Sequence, residues 1–130
     1  MMTDTFPSTV YKIVPAGLWA AAEAAGRFDG APVDAADGFI HFSTGAQVAE
    51  TAARHFAGGA DLLIVSVDAA ALGAALVYEP SRGGALFPHL YGPLPLAAVT
   101  AVRPLPLGPD GRHAFPPDVL PPDVTAGGGA

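Results

Sequence analysis

The chain has 130 residues, 51% of them hydrophobic, no cysteine and a net charge of -6 at neutral pH. That length holds one domain with one main core, and the missing cysteine excludes disulfides, thiolate metal sites and cysteine nucleophiles together. Mean hydropathy is +0.39, yet no apolar run approaches the roughly 20 residues that span a bilayer, so a soluble chain without a membrane partner is expected. The acidic balance, with a single lysine, argues against a phosphate-neutralising nucleic-acid surface.

Residues Met1 to Ser8 carry no basic stretch followed by an apolar one, which does not read as a secretory signal and makes the cytoplasm the expected location. Thr9 to Val14 reads as a strand from its β-branched and aromatic content. Pro15 suits the first turn of a helix running to about Ala25, with Leu18, Ala22 and Ala25 on one face and Gly26 as a left-handed stop. Arg27 to Asp37 contains Gly30, Pro32 and three aspartates without periodicity and reads as a loop.

A second strand follows in Gly38-Phe-Ile-His-Phe-Ser-Thr44, where Phe39, His41 and Ser43 share one face and Ile40 and Phe42 the other. Thr44-Gly-Ala-Gln47 matches the capping-box pattern and predicts a helix to Phe56, closed by Gly58-Gly59. Leu62 to Val67 reads as a buried central strand, and Asp68 as the cap of a short turn over Ala69 to Leu72. Leu76 to Glu79 predicts a strand, Pro80 to Gly84 a turn, and Ala97 to Val102 a last strand. Phe87 to Pro95 holds three prolines, which argues against an interior strand there.

Seven of the 14 prolines and five of the 16 glycines fall in the last 27 residues. A globular domain over residues 9–107 and a Pro/Gly-rich tail over 108–130 are therefore expected, the tail either wrapping the surface or lacking order. The order of elements favours an α+β fold with two main helices and a mixed or mostly antiparallel split sheet.

His41 and His89 are the candidate centre, because each imidazole is set among aromatic and apolar residues and titrates near neutrality. His41 precedes a predicted helix start, a setting that favours an anionic ligand. Ser43 shares its face, whereas Thr44 has a structural explanation as a cap. Lys12 reads either as a gatekeeper on an edge strand or as a phosphate-binding group in a cleft. Glu79 is a candidate carboxylate or a solvated strand end, and the Phe87-Pro-His-Leu-Tyr-Gly92 turn holds an imidazole and a phenol able to stack on a base. His55 fits a helix C-terminus and His113 an exposed tail. The four histidines lie 14, 34 and 24 residues apart, without metal-ligand spacing, so no metal site is expected.

Tyr11-Lys-Ile-Val14, Asp37 to Thr44 with Gln47, Leu62 to Asp68, Glu79 and Phe87 to Pro95 together resemble the bacterial family known as domain of unknown function 952, from about Tyr11 to Pro106. The resemblance implies a fold similar to the ADP-ribosyltransferase fold, in which a split sheet grips NAD. By order along the chain it sets Lys12 near the first site position, His41 to Ser43 near the second, and Glu79 or the His89 loop near the third. It implies catalytic roles for His41, Glu79 and His89 and ligand contacts from Lys12, Ser43, Thr44 and Tyr91. NAD enters as a substrate, with no bound cofactor. Such chemistry is NAD-dependent ADP-ribosyl transfer or nucleotide hydrolysis; the alternative is a non-catalytic module for a nucleotide or small anionic metabolite.

Overall fold

The computed structural model describes residues 7–120. β1 (Thr9–Pro15) leads into α1 (Ala16–Ala25), which buries Trp19 and Ala22 and ends at Gly26, whose φ of 87° is the left-handed turn expected of it. β2 (Arg27–Phe28), α2 (Pro32–Asp37) and β3 (Ile40–His41) come next. After them run α3 (Val48–His55), β4 (Leu62–Asp68) and α4 (Ala69–Leu72), the last capped by the Asp68 carboxylate at 3.1 Å from the Ala70 N–H. β5 (Leu76–Pro80), β6 (Leu86–Leu90), β7 (Leu94–Pro95) and β8 (Val99–Pro104) complete the set.

These strands form an α+β fold of three small antiparallel sheets: β1-β4-β8, β3-β6-β5 and the pair β2-β7. β4, the predicted central strand, is central, with Ile64, Val65 and Val67 fully buried. Both faces of β1 are covered: Val10 and Val14 join one apolar cluster with Trp19, Phe42 and Leu90, while Tyr11 and Ile13 join another with Val48, Ile64, Leu105 and Val119. The sheets are stitched by the segment after β3. Phe42 donates its N–H to Pro88 O at 2.9 Å, and Ser43 exchanges both backbone bonds with Tyr11.

Three expectations are corrected. Arg27 to Asp37 is not a loop: Pro32 starts α2, the Asp34 carboxylate accepts the Ala31 N–H at 2.7 Å, and Gly38 closes the helix with φ 88°. Proline at a first helical position and glycine just past the last are ordinary helix punctuation, so length rather than chemistry concealed the element. Phe87 to Pro95 is also not barred from a sheet interior, since β6, with Pro88 inside it, is the middle strand of β3-β6-β5.

Proline is tolerated there because its C=O and missing N–H point to the same side, toward Phe42, where β3 leaves to pair with β1. His113, expected to be exposed, instead bonds Gly59 O through Nε2 at 2.9 Å. The segment after β8 packs along the domain, with Leu105 and Val119 buried and Arg103 forked onto Asp118 at 2.7 and 3.1 Å. Residues 121–130 of the tail lie outside the described residues.

Candidate functional site

Register builds the site. In β3-β6-β5, His41 lies opposite His89, and His89 opposite Val77. Side chains two residues apart share a face, so Phe39, His41, His89, Tyr91, Val77 and Glu79 share one face of this sheet. The opposite face supplies Ile40, Phe42, Leu76 and Leu90 to the core.

The two imidazoles, 48 positions apart in the chain by their numbers, meet edge to face with ring centroids 5.4 Å apart. Phe39 stacks on His89 at 4.1 Å and touches His41 at 4.6 Å and Tyr91 at 5.3 Å. Each imidazole is held at Nδ1 by a carboxylate: His41 by Asp34 at 2.6 Å, His89 by Glu79 at 2.7 Å.

Around Asp34, which is 1% exposed, contacts converge from three elements. Oδ1 accepts the His41 N–H at 3.1 Å as well as facing its ring, and Oδ2 accepts the Ala31 N–H at 2.7 Å. Lys12 Nζ approaches the same carboxylate at 3.2 and 3.3 Å and donates to His41 O at 2.9 Å. Burial alone would push the Asp34 carboxyl up, but the Lys12 ammonium and the bonds from His41 and Ala31 hold it below the usual carboxylate range. An ionised carboxylate only accepts hydrogen bonds, so His41 Nδ1 carries a hydrogen toward Asp34. His41 Nε2 meets Asp37 Oδ2 at 2.9 Å.

Around Glu79 the surroundings are open. His89 Nδ1 and the Tyr91 hydroxyl at 2.8 Å both reach Oε1. Those bonds hold Glu79 below the usual carboxylate range and push the Tyr91 phenol up. Oε2 has no hydrogen-bond partner among the described residues. Tyr91 is 46% exposed, and the Glu79 side chain 36%.

Of the residues singled out from the sequence, His41, Glu79, His89 and Tyr91 come together on this face. Lys12 lies behind it: it is buried on the core side of β1, which overturns the gatekeeper reading and leaves its ammonium engaged by Asp34 and the His41 carbonyl. Ser43 is buried elsewhere and bonds Thr51 at 2.8 Å, so it stands apart from the imidazoles.

Thr44 lies with Tyr11, Gly45 and Val119 at a separate concavity of about 500 Å³. Its N–H meets Gln47 Oε1 at 3.1 Å, one half of the expected capping box, but α3 begins only at Val48. Asp34, Asp37 and Phe39 were missed as site residues. The signal for Asp34 was its place at the third position of a helix opened by Pro32. Among the described residues no group of three or more His, Asp or Glu side chains is placed to hold a metal ion, and no helix is long and apolar enough to cross a membrane.

This arrangement, two imidazoles each tied to a carboxylate above an aromatic platform, lies on a chain that belongs to the family described as Protein of unknown function (DUF952), whose model matches residues 13–102. The chain is 51% identical to Protein CC0527 from Caulobacter crescentus, whose crystal structure is covered over 92% of its length by 81% of this chain, with a TM-score of 0.78. The solution NMR structure of the same protein gives 51% identity, coverage of 82% and 91%, and a TM-score of 0.74. No curated protein matches the chain.

Proposed function

We propose that the chain has an ADP-ribosyltransferase-like fold and cleaves the nicotinamide-ribose bond of NAD or a related nucleotide, passing the ribosyl group to water or another acceptor. The observation that supports this most is Glu79: it is ionised, steadied at Oε1 by His89 and Tyr91, and without a partner at Oε2 among the described residues. As the bond breaks, its electron pair goes to the ring nitrogen of nicotinamide and the sugar acquires oxocarbenium character. A fixed carboxylate stabilises that charge.

Tyr91 and Phe39 offer aromatic surface for the leaving ring. His89, whose Nδ1–H is committed to Glu79, has Nε2 left to accept the proton that the attacking hydroxyl loses. The phosphate-binding reading of Lys12 and its implied ligand contact are not carried forward, since that ammonium is occupied inside the fold.

Incubation of the folded protein with NAD should release nicotinamide, and Glu79→Gln should lower the rate by about 100-fold or more, the usual scale for loss of a charge-stabilising group. Intact NAD after prolonged incubation with folded protein rejects the reading. A second reading, a non-catalytic module for a nucleotide or small anionic metabolite, is favoured by the Phe39–His89 stack beside the exposed Tyr91 ring, a platform suited to a base. It predicts saturable stabilisation against heat by a nucleotide with no turnover.

A further inference from the structure

We infer that Asp34, with Lys12 as its counter-ion, is a positioning residue for this site: it fixes the angle of the His41 ring and a hydrogen on its Nδ1 from behind, without touching the ligand. The inference deepens the reading of the cluster as a ligand site and rests on it for its functional consequence. Its structural part stands on geometry alone.

One oxygen, Asp34 Oδ1, takes both the backbone N–H of His41 at 3.1 Å and its ring Nδ1 at 2.6 Å, so the main chain and side chain of a single residue are pinned to one atom. The carboxylate is itself immobilised by Ala31 N–H and by Lys12, which also holds the His41 carbonyl. A purely structural ion pair would need only the lysine. Here the shortest of the contacts to Asp34 is the one to the imidazole.

Gly30 belongs to the same device. Its φ is +106°, and a Cβ there would come within 2.9 Å of Asp34 Cβ, so the turn before α2 can close over the aspartate only without a side chain.

The consequence for chemistry is an asymmetry between the two ring nitrogens of His41. Nδ1 faces a carboxylate that is buried and cannot leave. Nε2 faces Asp37, which is 49% exposed and sits at the last residue of α2. Asp37 is therefore the partner that a ligand oxygen can displace, receiving the Nε2–H from a ring already oriented. Behind metal-bound imidazoles, carboxylates that fix the ring in this way change activity by about 10- to 100-fold when removed, and the same orienting role sets the scale here.

Histidine ring nitrogen-proton NMR correlations test this without any ligand, so the outcome is independent of whether NAD is cleaved. The wild-type spectrum should show a hydrogen fixed on His41 Nδ1, and Asp37→Asn should leave that hydrogen in place. Asp34→Asn should weaken or abolish the His41 Nδ1–H correlation, leaving the hydrogen on Nε2, while the His89 pattern stays as in wild type. Should Asp34→Asn strand the lysine and fail to fold, the pair Lys12→Met with Asp34→Asn removes both charges and carries the same expectation.

A wild-type His41 lacking a hydrogen on Nδ1, or an unchanged His41 pattern in either folded Asp34 variant, overturns the inference. With nicotinamide release as readout, the folded Asp34 variant should lose about tenfold or more in kcat with KM within about twofold. A loss confined to KM contradicts a positioning role.

Discussion

The two histidine-carboxylate pairs share a motif and differ in everything around it. Asp34 is sealed behind β3 and tied to a lysine, two backbone N–H groups and one ring; Glu79 stands at the surface with two side-chain donors on a single oxygen. A buried carboxylate surrounded by partners costs much to disturb and contributes order. An exposed carboxylate with an oxygen to spare contributes little rigidity and is open to a ligand. On the proposed function, burial, more than the identity of the residues, divides this face between a carboxylate that holds and one that acts.

The largest expected break in that comparison is Asp34→Ala. It leaves the Lys12 ammonium buried without its counter-ion, and chemical denaturation should register a loss of about 3–5 kcal/mol. Gly30→Ala should follow, at about 1–3 kcal/mol, because a left-handed turn and the Asp34 side chain both resist the added methyl. Either variant with wild-type stability would mean that the inner pair is not the rigid half of the site.

Tyr91→Phe acts on the outer pair. It removes one of the two donors to Glu79 and should slow nicotinamide release by about fivefold, the scale of one hydrogen bond, with an unchanged melting temperature. A fall in melting temperature without a kinetic effect would make Tyr91 structural.

Acid sharpens the contrast further. Asp34 and Glu79 are both held below their ordinary range in the folded protein, so the folded state binds fewer protons than the unfolded chain as pH drops through the carboxylate region. Their stabilisation is complete above the unfolded value of about 3.9–4.3 and disappears as pH falls through the lowered folded values. Acid unfolding should therefore be flatter below about pH 4 in the folded Lys12→Met, Asp34→Asn protein than in wild type. An identical acid limb would show that Asp34 carries none of the pH dependence.

Much of this was legible in the chain. Alternation placed Phe39 and His41 on one strand face, and the apolar run Leu62 to Val67 announced the central strand. What periodicity cannot give is register between strands, and register is what sets His41 opposite His89. The inner carboxylate was hidden for a different reason. α2 spans only Pro32–Asp37, too short for a hydrophobic stripe, so its two aspartates looked like loop residues.

Lys12 misled for another reason: a lysine in a strand reads as a gatekeeper on an edge, whereas both faces of β1 are covered and the lysine sits between Val10 and Val14 on the core side. Pro88 hid β6 because local chemistry argued against a strand that tertiary pairing with β3 and β5 secures.

Titration of the intact protein with NAD, followed by NMR at the ring protons of His89 and Tyr91 and at the side chain of Lys12, tests the division between the two pairs most directly. The account predicts saturable shifts at His89 and Tyr91 and a Lys12 signal that stays where it is. A Lys12 signal that moves while His89 and Tyr91 do not, or no movement at any of the three, would contradict it.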